Sequence, residues 1–178
     1  MGLRIFTQPT VEPVTLAEVK QDLRIEHTDY DTMLARHITA ARSWLERRIQ
    51  RKIAEQELEF TFDEFPVAEI KLPVGPAIAV TEITYDDETG FEQTVDPINY
   101  WLDSVSEDSW IFPEESWPAT LDAVNSVRVY YTAGYDDLAN VPAELKQAIR
   151  LKVQELYEGG DYDRAITDLI TNSLRLYA

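Results

Sequence analysis

The chain has 178 residues, 44% hydrophobic and 28% charged, a balance that excludes a disordered polymer and suffices for one core or one core with a smaller satellite. Without cysteine and with two histidines, it excludes disulfides, thiolate metal sites and a cysteine nucleophile, and leaves too little imidazole for a His-rich zinc site. The formal net charge is −17, and no apolar run approaches the roughly 20 residues that a membrane-crossing helix needs.

Residues 1–14, with Pro9 and Pro13, read as an extended arm. The start "MGLRIFTQPT" lacks the apolar stretch of a secretory signal, which predicts residence in the cytoplasm where the chain is made. It also has Phe6 where a myristoylation pattern needs Ser or Thr. "TLAEVKQDLRI" then opens a short helix, with Thr15 and Glu18 at capping-box spacing and Leu16, Val19 and Leu23 on the apolar face. A second helix is predicted from about Asp29 to Lys52, because Tyr30, Met33, Leu34, Ile38, Ala41, Leu45 and Ile49 keep the 3.6-residue period and Trp44 borders their stripe. Arg47, Arg48, Arg51 and Lys52 close it. Cations at that end suit the helix dipole, and the same four residues are a candidate contact cluster.

From about residue 55 the period changes to two. "LEFTF", "EIKL" and "AIAVTEITY" alternate as strands, the last losing phase near Thr81–Glu82 as a bulge would make it do. "DDETG" reads as a hairpin loop with Gly90 at positive φ. Further strands are predicted at 91–95, 99–103, 109–112 and 126–132. Gly134 and Tyr135 then form a hinge, and Pro142 fits the first position of a helix whose face is Leu145, Ala148, Ile149, Val153 and Leu156. After "EGGDYD", a last helix at about 164–177 aligns Ile166, Leu169, Ile170, Leu174 and Tyr177, a stripe that needs a partner surface.

The predicted class is α+β: a helical bundle formed discontinuously by residues 15–54 and 142–178, with a β-rich insertion of about seven short strands at 55–141. Charge follows this division. Residues 1–57 hold nine basic and nine acidic side chains, residues 58–141 two and eighteen, and residues 142–178 five and six. A middle region so poor in Lys and Arg is a bad partner for phosphate. It suits a solvated surface, or one that must not adhere to another polyanion.

Chemistry-bearing motifs are scarce. His27 lies in "EHTDYD", beside Glu26, Asp29 and Asp31, but acidic residues belong at a helix start and the segment makes a poor metal site. His37 borders the apolar stripe of the second helix. Neither a nucleophile elbow, a phosphate loop, a dinucleotide fingerprint nor a calcium loop is present. The reading therefore names no catalytic residue, no metal ligand and no cofactor. Thirty-three acids always supply some carboxylate pair, so a carboxylate-based hydrolase stays a remote alternative. Trp101, Trp110, Phe112, Trp117, Tyr100, Tyr130 and Tyr131 crowd the end of the insertion, mostly as core, with one or two left for contacts.

Taken in order, "EPVTLAEVKQDLRI", "ITAARSWLERRIQRKI", "SWPAT", "VRVYYTAGY", "VPAELKQAI" and "LYE" resemble the head–tail connector (adaptor) proteins of long-tailed bacteriophages, prophages and gene transfer agents, from about residue 8 to 158. One departure is Gly159–Gly160 after "LYE", where an Asn-Arg-like continuation is expected, so the analogy does not place the last helix. The resemblance implies a structural virion protein at the head–tail junction, made in the host cytoplasm. Such proteins form a ring, commonly dodecameric, beneath the portal protein, extend its DNA channel, and meet a tail or head-completion protein. DNA passes without specific binding, no membrane is involved, and an isolated subunit can stay monomeric. In that setting Asp86, Asp87, Glu88 and Glu92 are candidate channel-facing acids, and the stripe of the last helix is a candidate docking surface for the portal or a neighbouring subunit. The alternative from another class is an acidic, DNA-mimic-like module that occupies a basic partner.

Overall fold

The computed structural model describes residues 1–106 and 108–175, with side chains described as far as Thr171 in the last helix. The fold is α+β: among the described residues, four helices and eight strands in two antiparallel sheets. The chain divides into two compact units, one from Met1–Thr10 and Glu55–Asp136, the other from Val11–Ala54 and the residues from Asp137 onward.

The first unit holds the strands: β1 (Gly2–Thr7), β2 (Gln56–Phe62), β3 (Ile70–Lys71), β4 (Ala77–Asp86), β5 (Glu92–Thr94), β6 (Tyr100–Asp103), β7 (Trp110–Pro113) and β8 (Val127–Ala133). One sheet runs β1-β2-β8-β4-β5 and the other β3-β7-β6. Alternation decides which side chains face the core. Leu58, Phe60 and Phe62 of β2 are buried with Val127, Val129, Tyr131 and Ala133 of β8, and Ile70, Ile83 and Ile111 complete the cluster. Burial raises the Tyr131 hydroxyl well above its ordinary pKa, and the hydroxyl donates to Val74 O at 3.1 Å. Phe65 stacks on Trp117 at 4.9 Å, and the indole N–H donates to Ala68 O.

The bulge expected in β4 is present. Register against β8 slips between Val80 and Glu82, and again between Ala77 and Ala79. The N-terminal arm behaves differently from a free extension, because Gly2–Thr7 pairs with β2 as an edge strand. Its pairing partners are Glu57–Thr61, a separation that local pattern does not reveal.

The second unit holds α1 (Leu16–Leu23), α2 (Asp31–Ile49), α3 (Ala143–Glu158) and α4 (Asp163–Arg175). Thr15 and Glu18 form the reciprocal capping box, and the hydrogen bonds from Thr15 lower the Glu18 pKa. Leu34, Ile38, Ala41 and Leu45 of α2 are buried, as are Leu145, Ala148, Ile149 and Val153 of α3. α3 packs against α1, α2 and α4. Two expectations shift. Pro142 is the N-cap of α3 rather than its first residue, since its ψ of 136° is extended. Leu156, in the last turn of α3, is exposed rather than buried.

Candidate functional site

The β4–β5 hairpin gathers the four acidic residues expected to face a channel. Asp86 and Glu92 are register partners, and both pair with Arg128 of β8, at 3.0 and 3.1 Å. Asp87 organises the loop itself. Its carboxylate accepts from the Thr89 hydroxyl and amide, the Phe91 amide and the Gln93 side chain, and these bonds lower its pKa to about 2. Gly90, at φ 83°, closes the turn as expected. Glu88 is exposed at the tip. Three of the four acids therefore have structural partners within the hairpin or on β8. One guanidinium against four carboxylates leaves the hairpin negative.

The basic end of α2 is divided among several tasks. Arg48 pairs with Asp163 and donates to Thr167 of α4, with its guanidinium 5.2 Å from the Trp44 ring centre. Lys152 of α3 sits over the same ring at 4.5 Å and pairs with Glu155. Lys52 lies 3.7 Å from Glu46, the Arg51 amide donates to Glu46 O, and Arg47 is exposed. Of the terminal-helix stripe, Ile166 and Ile170 are buried and Leu169 is half-buried. Leu174 has no described side chain, and Tyr177 lies outside the described residues. At the hinge, Gly134 has φ 124°, a value that favours glycine, and its N–H donates to Pro76 O; Tyr135 is half-buried.

The sequence reading missed a buried ion network. Arg42 is 3% exposed and donates to Glu12 at 2.7 Å and to Glu46 at 3.1 Å. Glu46, 5% exposed, also accepts the amides of Ile53 and Ala54. The available signal was the i,i+4 pair Arg42–Glu46 on the border of the apolar stripe.

The catalytic alternatives can be compared with these positions. A cleft of about 550 Å³ is lined by Asp96, Glu114 and Glu115 with Tyr85 and Trp117. Asp96 caps the turn at Pro97–Asn99 by accepting from Ile98 N, and both glutamates are exposed. His27 lies 3.7 Å from Asp29, and His37 is half-buried with Nδ1 unbonded. Among the described residues no three His, Asp or Glu side chains converge as metal ligands, and no helix is long and apolar enough to cross a membrane.

Residues 13–100 match the model of a family described as phage gp6-like head-tail connector protein. That segment carries the head–tail connector pattern. The solved structures similar to it include two chains from gene transfer agent particles, one from the neck of an empty particle computed with C6 symmetry and one from the virion of a native particle. Each aligns with TM-score 0.81 and 20% identity over 97% of this chain and 94% of the other. A chain from the neck of a native particle, computed with C12 symmetry, aligns over the same shares at 20% identity and TM-score 0.78. At that identity the likeness establishes a common fold. No curated protein sequence matches the chain.

Proposed function

We propose that the chain is a structural head–tail connector, one subunit of a ring in the neck of a tailed phage, a prophage-derived particle or a gene transfer agent. One observation carries the reading: a connector family pattern over residues 13–100 coincides with a fold likeness to neck chains that spans 97% of this chain. The C6 and C12 symmetries of those necks support a ring, and we take twelve copies as its size. Its role is mechanical rather than catalytic. It seats beneath a portal protein, extends the DNA path, and presents a surface to a tail or head-completion protein. It acts in the virion after assembly in the host cytoplasm.

Within this reading the helices form one bundle, the β-rich unit is its insertion, and the segment from Gly134 to Pro142 is the junction that returns the chain to helix. The acidic hairpin, with Asp86, Asp87, Glu88 and Glu92, lines the channel or its mouth. Screening confines its repulsion of phosphate to roughly 8–10 Å at physiological salt, so it acts on DNA only at close range. α4 docks through Leu169, since Ile166 and Ile170 are already used inside their own unit.

The decisive test is to mix the purified chain with its cognate portal protein and image the product by electron microscopy. A ring of this chain capping the portal is the expected result. A portal that stays bare at high connector concentration overturns the proposal. A monomeric mass for the isolated chain does not, because the portal can act as template. The acidic-decoy alternative predicts instead a stable monomer that competes with DNA for a basic partner.

A further inference from the structure

Three aromatic side chains share the outer face of the β3-β7-β6 sheet. Trp101 and Phe112 are register partners and stack at 4.3 Å with 11° between their planes. Trp110 lies two residues from Phe112, hence on the same face. The opposite face, with Ile70, Leu102 and Ile111, is the one that packs into the core. Trp110 and Phe112 are half-buried on the outer face, and Trp101 is 50% exposed.

The face already shows which chemistry it accepts. Lys71 Nζ stands 5.3 Å from the Trp110 ring centre and pairs with Asp108, a cation held between a ring and a carboxylate. Among the described residues Trp101 has no such cation, and its own unit has none to spare. That unit contains nineteen acidic and three basic residues, and each of the three, Arg4, Lys71 and Arg128, is in an ion pair.

Spare cations lie on α2. Arg36, Ala40, Ser43 and Arg47 follow one another at helical spacing along its outer face. Both arginines are exposed, and neither has an ion-pair or hydrogen-bond partner among the described residues. Small residues between them permit close approach, and a guanidinium stacks on an indole better than an ammonium does.

We infer that the Arg36–Arg47 face of α2 in one copy docks on the Trp101–Phe112 face of the next copy. Complementary charge commits the occupant to a second copy of this chain. The contact is head-to-tail, the kind that closes rings. It deepens the connector reading, on which the ring rests, but the contact itself is tested separately.

Because the chain has no cysteine, introduced thiols are unique. The double variant Ala40→Cys/Asp103→Cys, concentrated and treated with a short bismaleimide, is expected to give a ladder of linked multimers that neither single variant gives. Adding Arg36→Glu and Arg47→Glu, or Trp101→Ala, should weaken association about thirtyfold, as truncating a hot spot of this kind does. Arg36→Lys/Arg47→Lys should lose less, and circular dichroism of each variant checks that it is folded. Oligomers that form without the ladder overturn this interface and leave the connector reading intact. Absence of any self-association at high concentration also overturns it, and the connector reading then stands or falls on rings templated by the portal. A ladder that survives the arginine reversals places another surface at the contact and refutes the assignment.

Discussion

Asp87 collects four donors around one exposed carboxylate, and that is why its charged form is favoured down to about pH 2. Its pKa is depressed from the ordinary 3.8, so the stabilisation it lends the hairpin is complete above that ordinary value and disappears as pH falls through about 2. Titration followed by NMR should place the Asp87 inflection near pH 2, with faster amide exchange at Thr89 and Phe91 below it; an inflection near 3.8 would contradict the hydrogen-bonded loop. Arg42 works in the opposite setting, buried between two carboxylates. Replacing it by Met leaves Glu46 charged and without its guanidinium, which costs about 3 kcal/mol or more. Denaturant unfolding of the full chain should register that loss. Glu46→Gln, which keeps an oxygen for the amides of Ile53 and Ala54, should lose less.

Elements were legible where a local rule sets them. The capping box at Thr15, the stripes of α2 and α3, the alternation of β2 and β8 and the phase slip in β4 all follow from nearest neighbours along the chain. What escaped depends on distant partners. β1 is a strand because β2 accepts it, and Arg42 is tolerable inside because distant Glu12 joins Glu46 in pairing with it. The aromatic group was visible as composition, but only sheet register separates outward Trp101 from Trp117, which stacks on Phe65. The same logic divides α4. Ile166→Ala removes a fully buried side chain and should destabilise the helical unit by about 2–4 kcal/mol. Leu169→Ala, at a half-buried position, should change unfolding far less and reduce portal capture instead. Thermal unfolding and portal pull-down, measured on both variants, separate the two roles. Thr15→Ala should cost about 1 kcal/mol by the loss of its cap.

At the scale of the whole molecule, charge is segregated by unit, with three basic against nineteen acidic residues in one and thirteen against fourteen in the other. Duplex DNA should accordingly show no binding by fluorescence anisotropy at physiological salt. Micromolar affinity there would be incompatible with a wall past which DNA slides. The order of the units along the chain has a further effect, in time rather than space. α2 leaves the ribosome roughly 90 residues before α3, an interval of roughly 5–20 seconds at bacterial elongation rates. Throughout it the stripe of Leu34, Ile38 and Leu45 lacks the helix that will cover it, while the strands of the other unit are being completed. A chain ending near residue 136 and clear of the ribosome would carry all eight strands but only α1 and α2 of the helices, both still without α3. The moment of greatest exposure to chaperones and to misassembly is thus written into the order of synthesis, and it ends only when α3 emerges.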